Sequence, residues 1–238
     1  MSELAVATLR VRRDRLRLVI FDCDGVLIDS EPLCDRVVSE ELSALGWTTT
    51  PAECSRLFLG MSFHDMCPMI EAELGRPLAG DWVDSLVVKL TTVLANEAAA
   101  MPGARDVLEA TSALGLPWRI ASNSSHRETE AKFIRTGLRD LVAGRVHSSE
   151  DVIAQGGRGK PAPDLFLAAA AAAGIPPESC LVIEDSVHGV NAAVAAGMQC
   201  LGYCPSDDGD RLRLAGAVPF HRLLLLPDLL RGALEAVA

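Results

Sequence analysis

The sequence predicts an α/β fold, a doubly wound Rossmann-like parallel sheet that carries an inserted all-helical domain. Three observations predict it. Consecutive apolar, β-rich runs alternate with Ala-rich amphipathic segments along most of the chain, the order that builds a parallel sheet. The 238 residues are 49% hydrophobic but only 4% aromatic, so the core is built from Ala, Val, Leu and Ile. Over residues 33–100 the alternation stops and only helices can be placed, which is the mark of an inserted domain.

In chain order, "LRLVIFD" (Leu16–Asp22) reads as a strand buried on both faces, because its apolar residues are consecutive. "SEPLCDRVVSEELSALG" then reads as a helix, with Pro32 in its first turn and Gly46 as its stop. Three further helix starts follow. "TPAE" (Thr50–Glu53) and "SFHD" (Ser62–Asp65) place a capping hydroxyl three residues before an acid, and "DWVD" (Asp81–Asp84) has Asp at both positions. "MPGA" (Met101–Ala104) marks the return to the sheet. The strands "WRIAS" (Trp118–Ser122), "CLVIED" (Cys180–Asp185) and "MQCLGY" (Met198–Tyr203) alternate with the helices "PDLFLAAAAAAG" and "VHGVNAAVAAG", each closed by a glycine. The expected organisation is a core of residues 1–32 and 101–238, with a helical cap over residues 33–100 and hinges near Ser30–Leu33 and Ala100–Gly103. No internal repeat is present.

Composition excludes several function classes. Twenty-two basic against thirty-two acidic residues leave a formal charge of −10, and the one basic run, "RVRRDRLR", reads as a solvated lead-in to the first strand. Nucleic acid is therefore not an expected partner. The seven cysteines (Cys23, Cys34, Cys54, Cys67, Cys180, Cys200 and Cys204) form no C-x-x-C pair, which fits a reducing compartment. The longest apolar run, "LFLAAAAAAGI", is about half of what a membrane span needs. A soluble, cytoplasmic monomer or small homo-oligomer, with no membrane partner, is expected.

The chemistry concentrates where strands end. Asp22, Ser122 and Asp185 each stand at the carboxyl end of a strand, where open parallel sheets bind ligands. Residues i and i+2 of an extended chain share a side, so Asp22 and Asp24 can face one centre while Gly25 permits the turn that follows. Alone, D-x-D-G reads equally well as a turn with a helix cap. It is accompanied by "ASNSS", "GKPAPD" and "IEDS". Asp22, Asp185 and Glu184 are hard oxygen donors suited to Mg²⁺. Ser122 and the backbone N–H of Asn123 can donate to a phosphoryl oxygen, and Lys160 can offset negative charge. Pro161, standing where a P-loop needs Ser or Thr, argues against that motif.

"FDCDGVLIDSE", "IASNSS", "GKPAPDLF" and "VIEDSVHGVNAAVAAGM" resemble, in order and spacing, the four motifs of the haloacid dehalogenase-like (HAD) hydrolase superfamily. The chain looks most like the branch that holds β-phosphoglucomutases and small sugar phosphate phosphatases. The resemblance implies a Mg²⁺-dependent phosphatase that hydrolyses a small phosphorylated metabolite, a sugar or sugar-acid phosphate, through an aspartyl phosphate. It implies Asp22 as nucleophile and Asp24 as proton handler, with the Asp24 backbone carbonyl added to the metal ligands. Crowding by carboxylates is expected to raise the Asp24 pKa for that task. Within the resemblance, Gly60, Met61, Ser62, Phe63 and His64 help to select substrate; a plain turn between helices is the other reading of that stretch. His126, His147, His188 and His221 are expected to be structural or solvated. A phosphosugar mutase is the alternative, but that branch usually has His four residues after the hydroxyl of the first motif, and here Ser30 is followed at that distance by Cys34. A phosphorylated receiver module, a switch rather than an enzyme, is a further alternative; the cap and Asp24 count against it.

Overall fold

The structure is a computed structural model describing residues 16–58, 61 and 63–235. Strand β1 (Leu18–Phe21) is fully buried. It is followed by the two-residue β2 (Ile28–Asp29), four helices α1 (Glu31–Leu45), α2 (Pro51–Phe58), α3 (Phe63–Leu74) and α4 (Trp82–Glu97), and the two-residue β3 (Ala99–Ala100). The chain then runs α5 (Ala104–Ala113), β4 (Trp118–Ser122), α6 (His126–Arg135), α7 (Arg139–Val142), β5 (Val146–Ser148), α8 (Ser149–Ala154) and α9 (Asp164–Ala172). It ends with β6 (Cys180–Glu184), α10 (Val187–Ala195), β7 (Gln199–Tyr203), α11 (Asp210–Ala215), β8 (Val218–Phe220) and α12 (Leu226–Glu235).

Six strands form one parallel sheet in the order β5-β4-β1-β6-β7-β8, with β1 central. Phe21 lies opposite Ile120 on one side and Ile183 on the other, so the strand ends that follow these residues are brought together. Alternation along β1 sends Val19 and Phe21 to one face, where they pack with Trp118, Val107 and Leu230, and Leu18 and Ile20 to the other, with Phe166 and Val190. Both faces are thus covered by helices, which is why the strands read as continuous apolar runs. The Trp118 ring meets Phe21 edge-on at 6.2 Å, and its Nε1 donates to Ser112 Oγ at 2.8 Å, so this ring is buried with its polar atom paired.

Two strands of the sheet, β5 and β8, are absent from the sequence reading. Each has three residues and lies at an edge, too short to show a period, and Pro219 in β8 is tolerated because an edge strand has a free side. The helices of residues 31–97 lie between β2 and β3, which pair antiparallel with Ile28 opposite Ala100 and so bring the two connecting segments side by side. Thr50 and Glu53 form the expected capping box: Thr50 N donates to Glu53 at 2.8 Å and Glu53 N donates to Thr50 Oγ1 at 3.3 Å. Asp81 stands at the N-cap of α4 without a side-chain cap bond, so that part of the "DWVD" reading does not hold. Gly46 ends α1 at φ 105°, a left-handed conformation that a side chain would strain. Helix α4 packs on α6, and Arg135 Nε donates to Asn96 O at 2.6 Å, fastening the insertion to the sheet-bearing part. Among the described residues no helix is long and apolar enough to cross a membrane.

Candidate active site

Asp22 follows β1 directly, and its N–H continues the ladder by donating to Ile183 O at 2.9 Å. Its carboxylate is almost buried and meets Lys160 Nζ at 2.5 Å. The same ammonium donates to Glu184 Oε1 at 2.7 Å and to Ala121 O at 2.9 Å, so all three of its N–H groups are committed. Asn123 clamps the backbone of Lys160: its Oδ1 accepts from Lys160 N at 2.9 Å and its Nδ2 donates to Lys160 O at 3.1 Å. The Asn123 side chain therefore fixes the lysine across the gap between β4 and the loop before α9.

Glu184 is fully buried, and its Oε2 accepts from Asp185 N at 3.1 Å, Ser186 N at 3.0 Å and Ser186 Oγ at 2.9 Å. A Cβ at position 189 would run into this carboxylate, which requires glycine there at the start of α10. At position 25 a Cβ would run into the Asp185 carboxylate, and φ is 75°, so the glycine of D-x-D-G is required twice over. Asp22, Glu184 and Asp185 each place a carboxylate oxygen within 4.8 Å of the others. Burial, opposed by Lys160 and reinforced by Glu184 and Asp24, pushes the Asp22 pKa up to about 7. Burial, with Glu184 and Asp22 adding to it, holds Asp185 well above the usual carboxylate range. Three carboxylates around one ammonium leave an excess of negative charge that an added cation would relieve. An all-oxygen donor set of this kind fits Mg²⁺.

Asp24 departs from expectation. Burial raises its pKa, but Lys132 Nζ, at 2.7 and 2.8 Å from its two oxygens, together with the Ser30 and Ser124 hydroxyls, outweighs this and brings it below the usual carboxylate value. Ser30 Oγ donates to the same carboxylate at 2.5 Å, Ser124 Oγ at 3.0 Å and Ser122 Oγ at 3.4 Å. Carboxylate crowding does not govern this residue; a buried lysine on α6 does. Lys132 is 1% exposed and also donates to Ser124 Oγ at 2.9 Å, so its three N–H groups are committed too. The sequence reading missed Lys132 and Ser124, and gave Ser30 no part in holding Asp24. The available signal was a lysine four residues after Glu128 and next to Phe133, on the stripe of α6 that faces inward.

Asp24 and Lys160 open onto a cavity of about 600 Å³ between the helical insertion and the sheet. Met61, Phe63 and His64 line it; Gly60 and Ser62 lie outside the described residues. Cys34 lines it as well, with its thiol pushed up to about 12 by burial and by Asp35 and Asp24. His188, which the sequence reading set aside as structural or solvated, also faces this cavity.

A family model described as haloacid dehalogenase-like hydrolase matches residues 16–197. The chain is 27% identical over 216 residues to 6-phosphogluconate phosphatase of Escherichia coli K12, covering 90% of this chain and 95% of that protein. It is 33% identical over 183 residues to the "Probable pseudouridine-5′-phosphatase" of Drosophila melanogaster, covering 76% and 78% of the two chains. Among solved structures, a conserved haloacid dehalogenase-like protein of unknown function from Agrobacterium tumefaciens superposes with a TM-score of 0.79 at 34% identity, over 91% of this chain and 98% of that one.

Proposed function

Because this chain belongs to the haloacid dehalogenase-like hydrolases and is a phosphoric monoester hydrolase among them, we propose that it releases phosphate from a small phosphorylated metabolite with Asp22 as nucleophile. The observation that carries this reading is the end of β1, where Asp22 lies against Lys160 and beside Glu184 and Asp185 while Asp24 faces the cavity. An Asp22 oxygen attacks phosphorus; the Asp22–phosphorus bond forms as the bond to the alcohol oxygen breaks, and the alcohol takes a proton from Asp24. Water then attacks the aspartyl phosphate, gives its proton to Asp24, and frees phosphate and the Asp22 carboxylate. Asp24 as held by Lys132 is the carboxylate, the state that receives the water's proton. Its first task requires that it take up a proton when the anionic substrate enters, with Lys132 still bonded to the carboxyl group.

Mg²⁺ would be held by Asp22, Asp185 and the backbone carbonyl of Asp24. When bound, it neutralises charge so that an anionic nucleophile can approach an anionic ester. Glu184 Oε2 is taken up by the turn at Ser186, so Oε1, which accepts from Lys160, is the atom through which Glu184 would enter that set. Ser122 and the Asn123 N–H would donate to the phosphoryl oxygens, and Lys160 would balance their charge. We assign residues 33–100 the role of a cap whose Met61, Phe63 and His64 meet the rest of the substrate, with Gly60 and Ser62 in the same stretch. Closure on the β2–β3 ribbon would exclude bulk water while the phosphoryl group passes to Asp22, and reopening would release the alcohol and admit the attacking water. The Cys34 thiol, held neutral by burial, cannot do the acid–base work of an imidazole, which favours water over a sugar hydroxyl as the acceptor. The test is a screen of phosphorylated sugars, sugar acids and nucleotides for Mg²⁺-dependent phosphate release, with Asp22→Asn as the blank. Release that is lost in this variant supports the reading; equal release by both proteins removes Asp22 from it.

A further inference from the structure

Whatever is attached to the phosphoryl group must sit in the 600 Å³ cavity, so the charges that line it act as a filter. The carboxylates of Glu31, Asp35, Asp65, Glu128 and Glu150 line it, and among the described residues no arginine does. Its two lysines have nothing left to offer. Lys132 spends its three N–H groups on both oxygens of Asp24 and on Ser124, and Lys160 spends its own on Asp22, Glu184 and Ala121. Any donor that Lys160 releases is needed by the phosphoryl group itself.

Glu31 and Asp35 stand four residues apart on α1, and among the described residues neither is in a salt bridge. The Glu31 carboxyl is raised by partial burial and by Asp35, Asp24 and Asp29, which outweigh the attraction of Arg211, and that of Asp35 is raised by burial, which outweighs its hydrogen bond from Ser55. The lining also includes the apolar side chains of Val38, Phe58, Met61, Met66, Val83 and Leu90. These suit the C–H face of a sugar or polyol, while the imidazoles of His64 and His188 can pair with hydroxyls.

We infer that this cavity selects a leaving group without negative charge, a neutral sugar or polyol, and turns away sugar acids and bisphosphates. The inference rests on the phosphatase reading above and narrows it. A second anionic group here would lie beside these carboxylates with both lining lysines already engaged, and like-charge placement of that kind is disfavoured. The likeness to a 6-phosphogluconate phosphatase does not extend to the charge its substrate demands.

The test uses the whole Mg²⁺-loaded enzyme and two esters that differ only at C1, glucitol 6-phosphate (CH₂OH) and gluconate 6-phosphate (COO⁻). The expected result is a kcat/KM higher by about tenfold or more for the glucitol ester. Asp35→Asn should narrow that ratio, mainly through a gain with the gluconate ester, and Glu31→Gln, at the exposed mouth, should do the same should the first variant fold poorly. Equal or faster turnover of the gluconate ester overturns the inference, as does a ratio unmoved by both substitutions. Release from p-nitrophenyl phosphate but from neither sugar ester also overturns it, leaving the phosphatase reading intact. Silence with all three esters overturns the phosphatase reading and this inference with it.

Discussion

Two lysines organise the acids of the site, and they do so from different depths of the fold. Lys160 faces Asp22 and Glu184 where both are nearly or wholly buried, and Lys132 faces Asp24 at the floor of the cavity. Removing one partner of a buried pair leaves the other charge uncompensated, at a cost of about 3–5 kcal/mol. Lys132→Met should therefore lower the unfolding free energy by an amount in that range, read from urea denaturation. Asp24→Asn in the same protein should recover a good part of it, because the stranded charge is gone. If the double variant is as unstable as the single one, the cost lies in packing around Phe133 rather than in charge. Asp22→Asn is predicted to act differently, lowering turnover by about a thousandfold or more with stability unchanged or raised, since it removes one of three crowded carboxylates. Turnover measured beside denaturation separates the two roles.

At the scale of elements, α6 links stability to chemistry. Ser125 Oγ accepts from Glu128 N at 3.1 Å while Glu128 Oε2 accepts from Ser125 N at 2.8 Å, a capping box that fixes the first turn of the helix carrying Lys132. Ser125→Ala is expected to cost about 1 kcal/mol in thermal or urea unfolding, in line with loss of an N-cap. The central strands β1, β4, β6 and β7 were legible because each is covered on both faces and must read as an unbroken apolar run. Edge strands β5 and β8 were not, since three residues with one free side need no such pattern. The same distinction runs through the site. Asp22, Ser122 and Asp185 show themselves by standing where a strand stops. Lys132 does not, because a lysine by default points to solvent, and its partner Asp24 lies 108 residues away in sequence, brought near by the pairing of β1 with β4. The Asp24 charge state was misread for the same reason: nearby acids are visible in "DCD", whereas the distant cation is not.

Over the whole molecule, the excess of carboxylate at the end of β1 sets a pH dependence that metal should reverse. Asp22 titrates at about 7 in the folded chain against an ordinary value of 3.8, so between these two values the folded state binds more protons than the unfolded one. Its contribution to stability is therefore lost as pH rises from about 4 to about 7, and Asp185, raised for the same reasons, acts in the same direction. Asp24, whose folded value is lowered, opposes this: its stabilisation is present above the ordinary value and is lost as acid protonates the pair with Lys132. Metal binding requires the carboxylates deprotonated, so Mg²⁺ held as proposed would compete with protons for Asp22 and Asp185. The rise in melting temperature on adding Mg²⁺ to EDTA-treated protein should accordingly be small near pH 5 and large near pH 8. The added stability at pH 8 should be about 2.7 kcal/mol when free Mg²⁺ is 100 times its dissociation constant. The check is a pair of calorimetric or fluorescence melts at each pH, with and without the ion. A shift of equal size at both values would mean that Mg²⁺ binds away from these carboxylates, and Asp22→Asn, which removes one of the two competing carboxylates, should weaken the dependence.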